Sequence, residues 1–372
     1  MAKTTQRLLV ACSGTGGHFY PGFALAREMK KRGWEPLFLV RTGDPAKSVL
    51  DKAGLPWAEI PLSGLPRGKN PLKLFSFGLQ VLKALKHTSW LFTDFKPDAV
   101  IGFGGYVSFP ALYCAKKFKV PSIIHESNAV MGLANRWSAK YATIVALGLT
   151  DPAKNTPKGT VTPGTPVRSE FAEETDPKTA RVELGLKPDL TTVTMFGGSQ
   201  GAKKLNMAAA ESALKLTRIR QDIQFLHITG RRDYAEMKNI YGSETPNIVV
   251  MEYCDRMNLA LRAADLAVTR AGASTIAELI ALRKPAILIP FPYATNAHQD
   301  ANAEILQRTG CAALVKEDGP FTENLYLEII RMLDVAGTLD MMSHAYKKTM
   351  FPNPFDAANK LAYAIEELVC DR

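Results

Sequence analysis

Three glycine-rich turns stand directly after apolar runs. Leu8 to Cys12 leads into Gly14-Thr15-Gly16-Gly17, Val100-Ile101 leads into Gly102-Phe103-Gly104-Gly105, and Val193 to Phe196 leads into Gly197-Gly198-Ser199-Gln200-Gly201. Glycine just beyond a strand lets backbone amides close on a phosphate, and the next helix aims its free N–H groups at the same charge. One such turn serves a plain tight turn equally well. Three in one chain favour a phosphorylated ligand.

As a dinucleotide fingerprint the first turn is defective. Phe19 stands where the third glycine belongs, and the following strand ends at Arg41 rather than at an acid; this weakens an NAD reading and leaves an NADP version open. The second half is more specific. Asp265 to Glu278 reads as a strand, a small-residue turn and a helix beginning near Ser274. The N-terminus of that helix can hold a diphosphate, with Glu278 one turn in to accept the two hydroxyls of a ribose; in the alternative, Ser274 is a cap and Glu278 a first-turn acid. The segment Pro290 to Ala303 then brings amide and imidazole groups, His298 and Gln299 among them, of the kind that hydrogen-bond sugar hydroxyls.

These turns need strands and helices to carry them. Strand-like runs at Leu8–Cys12, Pro36–Val40, Ala99–Phe103, Ser122–His125 and Thr143–Leu147 alternate with helical ones, the first helix running from about Pro21 to Lys31. That alternation makes a parallel sheet flanked by helices. The stretch from Asp151 to Thr165 is rich in Pro, Gly, Thr and Lys, and a fresh series follows: Thr192–Phe196, Gln224–Ile228, Ile248–Met251, Leu266–Thr269 and Ala286–Ile289. A domain boundary near residue 165 is expected. The echo between the turns implies two Rossmann-like domains with a cleft between them.

The bulk numbers agree. A chain of 372 residues, 46% hydrophobic and 22% charged, suits two folded domains. The formal net charge of +10 suggests an acidic partner. Nothing resembles a basic run for nucleic acid; Lys116, Lys117 and Lys119 form a short cluster that reads as the end of an exposed helix. The five cysteines contain no CxxC pair, so neither a zinc site nor a disulfide framework is indicated, and a reducing compartment fits. The apolar run after Lys3 and Arg7 is too short for an export signal, and the glycine-broken stretch Ala99–Ala115 is no transmembrane helix.

An ordered set of motifs carries a resemblance: Gly14-Thr15-Gly16-Gly17-His18, Gly102-Phe103-Gly104-Gly105-Tyr106, His125-Glu126-Ser127-Asn128-Ala129-Val130, Pro166-Val167-Arg168, Gly197-Gly198-Ser199-Gln200-Gly201-Ala202, and the Gly272 and His298-Gln299 segments. The chain resembles glycosyltransferase family 28, specifically the bacterial enzymes that transfer N-acetylglucosamine to a polyprenyl-linked muramoyl pentapeptide. What the resemblance implies is an α/β fold of the GT-B type, two Rossmann-like domains whose parallel sheets face across a cleft. Residues 1–164 would form the acceptor and membrane-facing domain, 165–350 the UDP-sugar domain, and 351–372 a helix packing back toward the N-terminal domain. UDP-N-acetylglucosamine would be contacted by Thr15, Gly16, Gly17, Asn128, Arg168, Ser199, Cys254, Ala273, Ser274, Thr275, Ile276, Ala277, Glu278, His298 and Gln299. The acceptor would be lipid I, its diphosphate against Gly14, Gly104, Gly105 and Tyr106, and the product lipid II for peptidoglycan and cell wall biogenesis. Three departures stand out: Ser13 replaces a glycine, Thr165 an asparagine, and Cys254 the aliphatic residue that meets the uracil.

Transfer with inversion needs a base for the acceptor hydroxyl and stabilisation of the departing diphosphate. His18, at the first glycine turn and with an ordinary pKa near 6.5, is the favoured base; Glu126 is the second candidate. An imidazole that merely caps the first helix or binds substrate is the competing account of His18. No Asp-x-Asp occurs and no histidines pair at ligand spacing, so a metal-independent reaction without cofactor is expected, with Arg168, the Ser199 loop and the Ser274 helix facing the leaving group.

The segment Pro71–Thr93 shows two apolar stripes at helical spacing. Leu74, Phe77, Val81, Leu85 and Phe92 suffice for the core; Leu72, Phe75, Leu79, Leu82 and Trp90 form a second stripe beside Lys83 and Lys86, with Arg67 and Lys69 just upstream. A helix lying on an anionic membrane fits this, as does one buried between two neighbours. The expected location is peripheral, on the cytoplasmic face of the bacterial plasma membrane, with cell-wall synthesis proteins as candidate partners and no nucleic acid. A UDP-N-acetylglucosamine 2-epimerase, a glycolipid synthase and a non-catalytic UDP-sugar-binding protein are the competing readings.

Overall fold

The computed structural model describes residues 5–14, 16–64, 66, 70–151, 159–198, 200–242 and 245–370. The chain forms two compact units, Met1–Arg168 with Pro352–Arg372, and Ser169–Phe351. The first crossing comes a few residues after the linker composition suggests. Gly164 to Pro166 are buried in unit 1, and the Gly164 carbonyl meets the His125 ring at 2.9 Å.

Unit 1 is built on a seven-stranded sheet of β1 (Arg7–Ala11), β2 (Glu35–Arg41), β3 (Trp57–Ile60), β4 (Ala99–Gly102), β5 (Ser122–Glu126), β6 (Ile144–Leu147) and β7 (Thr160–Val161), in the order β3-β2-β1-β4-β5-β6-β7. Every pairing is parallel. Helices are α1 (Phe19–Lys31), α2 (Lys47–Lys52), α3 (Pro71–Phe95), α4 (Ser108–Lys117) and α5 (Leu133–Ser138). Successive side chains of a strand point to opposite faces, so Leu8 and Val10 join α1 in one core layer while Leu9 and Ala11 join α3 and α4 in the other. Each such fully buried aliphatic contributes about 1.5–3 kcal/mol relative to exposure. A sheet covered on both faces explains why these strands are near-continuous apolar runs.

Helix α1 begins at Phe19, ahead of the expected Pro21. Proline is tolerated there because the first-turn N–H groups have no intrahelical partner to lose.

Unit 2 opens with α6 (Pro177–Glu183). It then carries β8 (Thr191–Phe196), α7 (Lys203–Ile219), β9 (Ile223–Ile228), α8 (Tyr234–Tyr241), β10 (Ile248–Met251), α9 (Met257–Ala263), β11 (Leu266–Thr269), α10 (Ala273–Leu282), β12 (Ala286–Leu288), α11 (His298–Arg308), β13 (Ala312–Leu314), α12 (Phe321–Asp334) and α13 (Thr338–Lys348). The sheet order is β10-β9-β8-β11-β12-β13, again all parallel. In both sheets the strand order reverses beside the first strand, and ligands of open α/β sheets bind beyond the strand carboxyl ends at that switch point.

The last helix, α14 (Pro354–Cys370), returns to unit 1. Leu361, Ala362 and Ile365 fill the same core layer as Leu25 and Met29 of α1. Arg32 joins the two helices, reaching Glu366 at 2.6 Å and Glu28 at 3.0 Å while its guanidinium lies 4.3 Å from the centre of the Tyr363 ring.

Candidate functional site

In unit 1 the turns after β1 and β4 lean on one another. A Cβ added at Gly104, whose φ is +112°, would stand 2.6 Å from His18 Nδ1. The imidazole therefore lies against backbone that only glycine provides. His18 immediately precedes α1, and its side chain makes no capping hydrogen bond to that helix; the capping account falls away.

The first turn carries an anion of its own. Asp44, fully buried at the side chain, accepts the Gly14 N–H at 3.0 Å and the Ala46 N–H at 3.0 Å, with Arg41 Nε at 3.3 Å. The Gly14 amide, expected at the acceptor diphosphate, donates here to an internal carboxylate. Arg41 pairs with the same carboxylate while its side chain stays 47% exposed. The Gly104 N–H is also engaged, donating to Ser108 Oγ at 3.0 Å. Gly105 is half-buried, and Tyr106 packs edge-on against Phe77 of α3 at 5.8 Å.

Glu126, at the end of β5 and 2% exposed, orders the loop that follows it. Its Oε1 accepts from the Asn128 N–H and Nδ2, each at 2.9 Å; its Oε2 accepts from the Gly132 N–H at 3.0 Å and Asn135 Nδ2 at 2.8 Å. The four lone-pair sites of a carboxylate are then in use. Asn128, expected at the donor, is held here by Glu126. The neighbouring His125 is pushed down to about 4, chiefly by burial. Only acceptance is open to the Gly164 carbonyl, so Nε2 carries the proton and Nδ1 accepts from Ser127 Oγ at 3.3 Å. Arg168 is half-buried with its guanidinium 4.8 Å from the centre of the Tyr20 ring. Gly16 is half-buried and Gly17 exposed. Thr15 and Ser199, like Arg67 and Lys69, lie outside the described residues.

In unit 2 two helix N-termini point beyond the sheet. Gly272 caps α10 and offers no side chain, and no acid occupies its first turn. The N–H groups of Ala273, Ser274 and Thr275 therefore have no intrahelical acceptor and aim a partial positive charge outward. Both details correct the bland alternative: Ser274 is not the cap, and half-buried Glu278 lies in the second turn. Ile276 and Ala277 are buried. Helix α7 likewise starts without a side-chain cap or a first-turn acid, at Ala202 beyond the Gly197 turn.

A buried chain of polar groups fixes that turn from below. Asn206 Nδ2 donates to the Thr229 carbonyl at 2.8 Å and to Asp233 at 2.7 Å. Its Oδ1 takes the proton of His227 Nε2 at 3.1 Å, which leaves His227 Nδ1 to accept from the Tyr241 hydroxyl at 2.7 Å. Burial pushes His227 down to about 3, keeping this chain uncharged at the imidazole. Sequence reading missed these residues and Asp44, because their partners lie 14 to 30 positions away.

Cys254 is buried just beyond β10. His298 and Gln299 open α11 after two left-handed residues, Asn296 and Ala297. Gln299 Oε1 accepts the Phe291 N–H at 3.0 Å, so its amide NH2 is the end left to meet a ligand.

Helix α3 keeps its second stripe in the open. Leu72 is 78% exposed, Phe75 69%, Leu79 45%, Leu82 63% and Trp90 66%, and Lys83 and Lys86 are exposed beside them. Phe77, Val81, Leu85 and Phe92 pack inward as expected. Leu74 does not: at 43% exposure it leaves the core stripe, in a first stretch of α3 whose residues 71–76 are all exposed. Burial between two neighbours is excluded for this helix within unit 1. Among the described residues no helix is long and apolar enough to cross a membrane.

Two Rossmann-like parallel sheets, with α7 and α10 of the second starting without side-chain caps, give the GT-B fold with helix N-termini open to a phosphorylated ligand. Residues 8–147 match the glycosyltransferase family 28 N-terminal domain and residues 192–356 the family 28 C-terminal domain; the chain belongs to this family. It is 40% identical over 363 residues to the UDP-N-acetylglucosamine–N-acetylmuramyl-(pentapeptide) pyrophosphoryl-undecaprenol N-acetylglucosamine transferase of Elusimicrobium minutum, covering 98% of this chain and 100% of that one. Among solved structures, Acinetobacter baumannii MurG superposes with a TM-score of 0.77 at 26% identity, covering 97% of this chain and 99% of that chain. A UDP-N-acetylglucosamine 2-epimerase from Listeria monocytogenes reaches a TM-score of 0.69 at 16% identity, covering 100% of this chain and 98% of that one. That likeness is of fold alone.

Proposed function

We propose that this protein transfers N-acetylglucosamine from UDP-N-acetylglucosamine to the 4-hydroxyl of the muramoyl sugar of lipid I, with inversion, forming lipid II for peptidoglycan synthesis. The observation that carries the reading is full-length likeness at 40% identity to a relative named for this transfer, joined to uncapped N-termini of α7 and α10 in unit 2. Unit 2 takes the donor. Its two helix N-termini stabilise the charge that develops on the leaving UDP, and Glu278 and Gln299 supply acceptors and donors for ribose and sugar hydroxyls.

Unit 1 takes the acceptor. His18 receives the proton of the attacking hydroxyl, a role supported by its fixed seat on Gly104 and by the full engagement of its rival Glu126. Arg168 assists the departing diphosphate. The exposed apolar face of α3 with Lys83 and Lys86 rests on the anionic cytoplasmic surface of the plasma membrane, where the polyprenyl acceptor resides; its aromatic members Phe75 and Trp90 suit the headgroup region. Cell-wall synthesis proteins are the natural neighbours there.

The test is incubation of the protein with labelled UDP-N-acetylglucosamine and a lipid I analogue, with and without EDTA. The expected product is the disaccharide-lipid at an unchanged rate in EDTA. Epimerised UDP-sugar, transfer only to a diacylglycerol, or no turnover at all would each reject the assignment, and loss in EDTA restored by magnesium would reject the metal-independent step.

A further inference from the structure

The cations around the Gly197 turn sort into neutralised and unneutralised ones. Lys203 pairs with Glu236 at 3.0 Å. Lys204 donates to the Glu317 carbonyl at 3.1 Å and stands 3.9 Å from its carboxylate. Arg270 meets the same carboxylate at 2.5 Å, with both side chains nearly buried. Arg231 differs. Like its neighbour Arg232, it meets no carboxylate among the described residues, but where Arg232 donates to the Gln200 carbonyl, the Arg231 guanidinium lies 5.6 Å from the centre of the Tyr253 ring.

Its position is set by backbone packing. Sheet order puts β9 between β8 and β10, so the turn after β9 lies between the Gly197 turn and the Tyr253-Cys254 segment. A Cβ at Gly230 would collide with the Gly201 backbone, and Arg232 Nε donates to the Gln200 carbonyl at 3.0 Å. The residue between these two anchors is Arg231. An exposed arginine on an aromatic face keeps its charge and its fork of donors oriented at low entropic cost.

We infer that Arg231 is a further donor-binding residue, its guanidinium held on the Tyr253 ring to take the phosphate that adjoins the ribose of a uridine nucleotide. The inference rests on the donor assignment to unit 2 and adds to it a full positive charge carried by that unit itself, since helix N-termini supply only partial charges. A planar fork matches two phosphate oxygens, which a lysine point charge does not.

Isothermal titration of the full chain with UDP, UMP and uridine tests it. Arg231→Gln should weaken UDP and UMP about ten- to a hundredfold, the range for a lost charged hydrogen bond, and leave uridine unchanged. Arg231→Lys should recover part of the loss. Lys178→Gln, which removes the same charge from an exposed ion pair elsewhere on unit 2, should bind like the parent. Parent-like UDP binding by Arg231→Gln, an equal loss for uridine, or an equal loss in Lys178→Gln would overturn Arg231 alone. A parent chain that fails to bind UDP would overturn the donor reading and this inference together.

Discussion

The imidazole of His18 rests on the backbone of Gly104, so closely that a Cβ there would reach 2.6 Å from Nδ1. The second glycine turn thereby sets the orientation of a group on the first. Gly104→Ala adds that Cβ at a φ of +112°, a conformation costing about 1–3 kcal/mol for a non-glycine residue. The expected variant melts lower in unit 1, turns over at least about tenfold more slowly at saturating substrates, and titrates with UDP as the parent does. An unchanged turnover number would show that the ring's seat is unimportant.

His18 and Glu126 should separate cleanly in kinetics. His18→Ala is expected to lower the saturated turnover number by about 10²–10⁴ and to remove the acid limb of the pH–rate profile. Glu126→Gln keeps the shape but turns an amide NH2 toward donors, leaving N–H groups unpaired at a cost of about 1–3 kcal/mol. Its signature is a lower melting temperature with the acid limb retained. The reverse pattern would make Glu126 the base.

Acid should loosen both units. His125 and His227 are held neutral by burial, with folded values of about 4 and about 3 against 6.5 when unfolded. As pH falls below 6.5 the unfolded chain binds protons that the folded units refuse, so stability drops by up to about 1.4 kcal/mol per pH unit per histidine until the folded values are reached. Above pH 7 neither group contributes a slope. Calorimetry between pH 7 and 5 should show both unit transitions falling, and His125→Gln should flatten the dependence for unit 1 only.

The outer face of α3 should be dispensable for folding. Phe75→Glu with Leu79→Glu changes residues 69% and 45% exposed, so the melting temperature should hold while sedimentation with vesicles containing anionic phospholipid is lost. Retained vesicle binding by this folded variant would place the membrane contact elsewhere.

What could be read from the residues, and what could not, follows from the range of the forces involved. Strands β8, β9, β11 and β12 were legible because a strand buried on both faces is an apolar run bounded by turn residues, and the half-buried edge strand β10 because Ile248-Val249-Val250-Met251 is itself an apolar, β-branched run. The run Ala312-Ala313-Leu314 of β13 is short and alanine-rich, and β7 is only the two residues Thr160 and Val161 paired to β6; both are too short to leave a side-chain pattern. The glycine turns and the α10 N-terminus were legible from local chemistry. Asp44 was not, because its meeting with Gly14 is created by the pairing of β1 with β2. The same holds for Arg231, placed by packing between neighbouring strand ends, and for the exposure of Leu74, which depends on what packs against the first turns of α3 and not on their helical spacing.

Helix α14 completes the core layer that α1 begins, although the whole of unit 2 separates them in the chain. During synthesis the first unit to leave the ribosome is then the last to be finished. Until Leu361, Ala362 and Ile365 emerge, the α1 side of the Leu25 and Met29 core layer lacks its last helix, an apolar surface for chaperones to shield, although all seven strands of the unit 1 sheet have already been made.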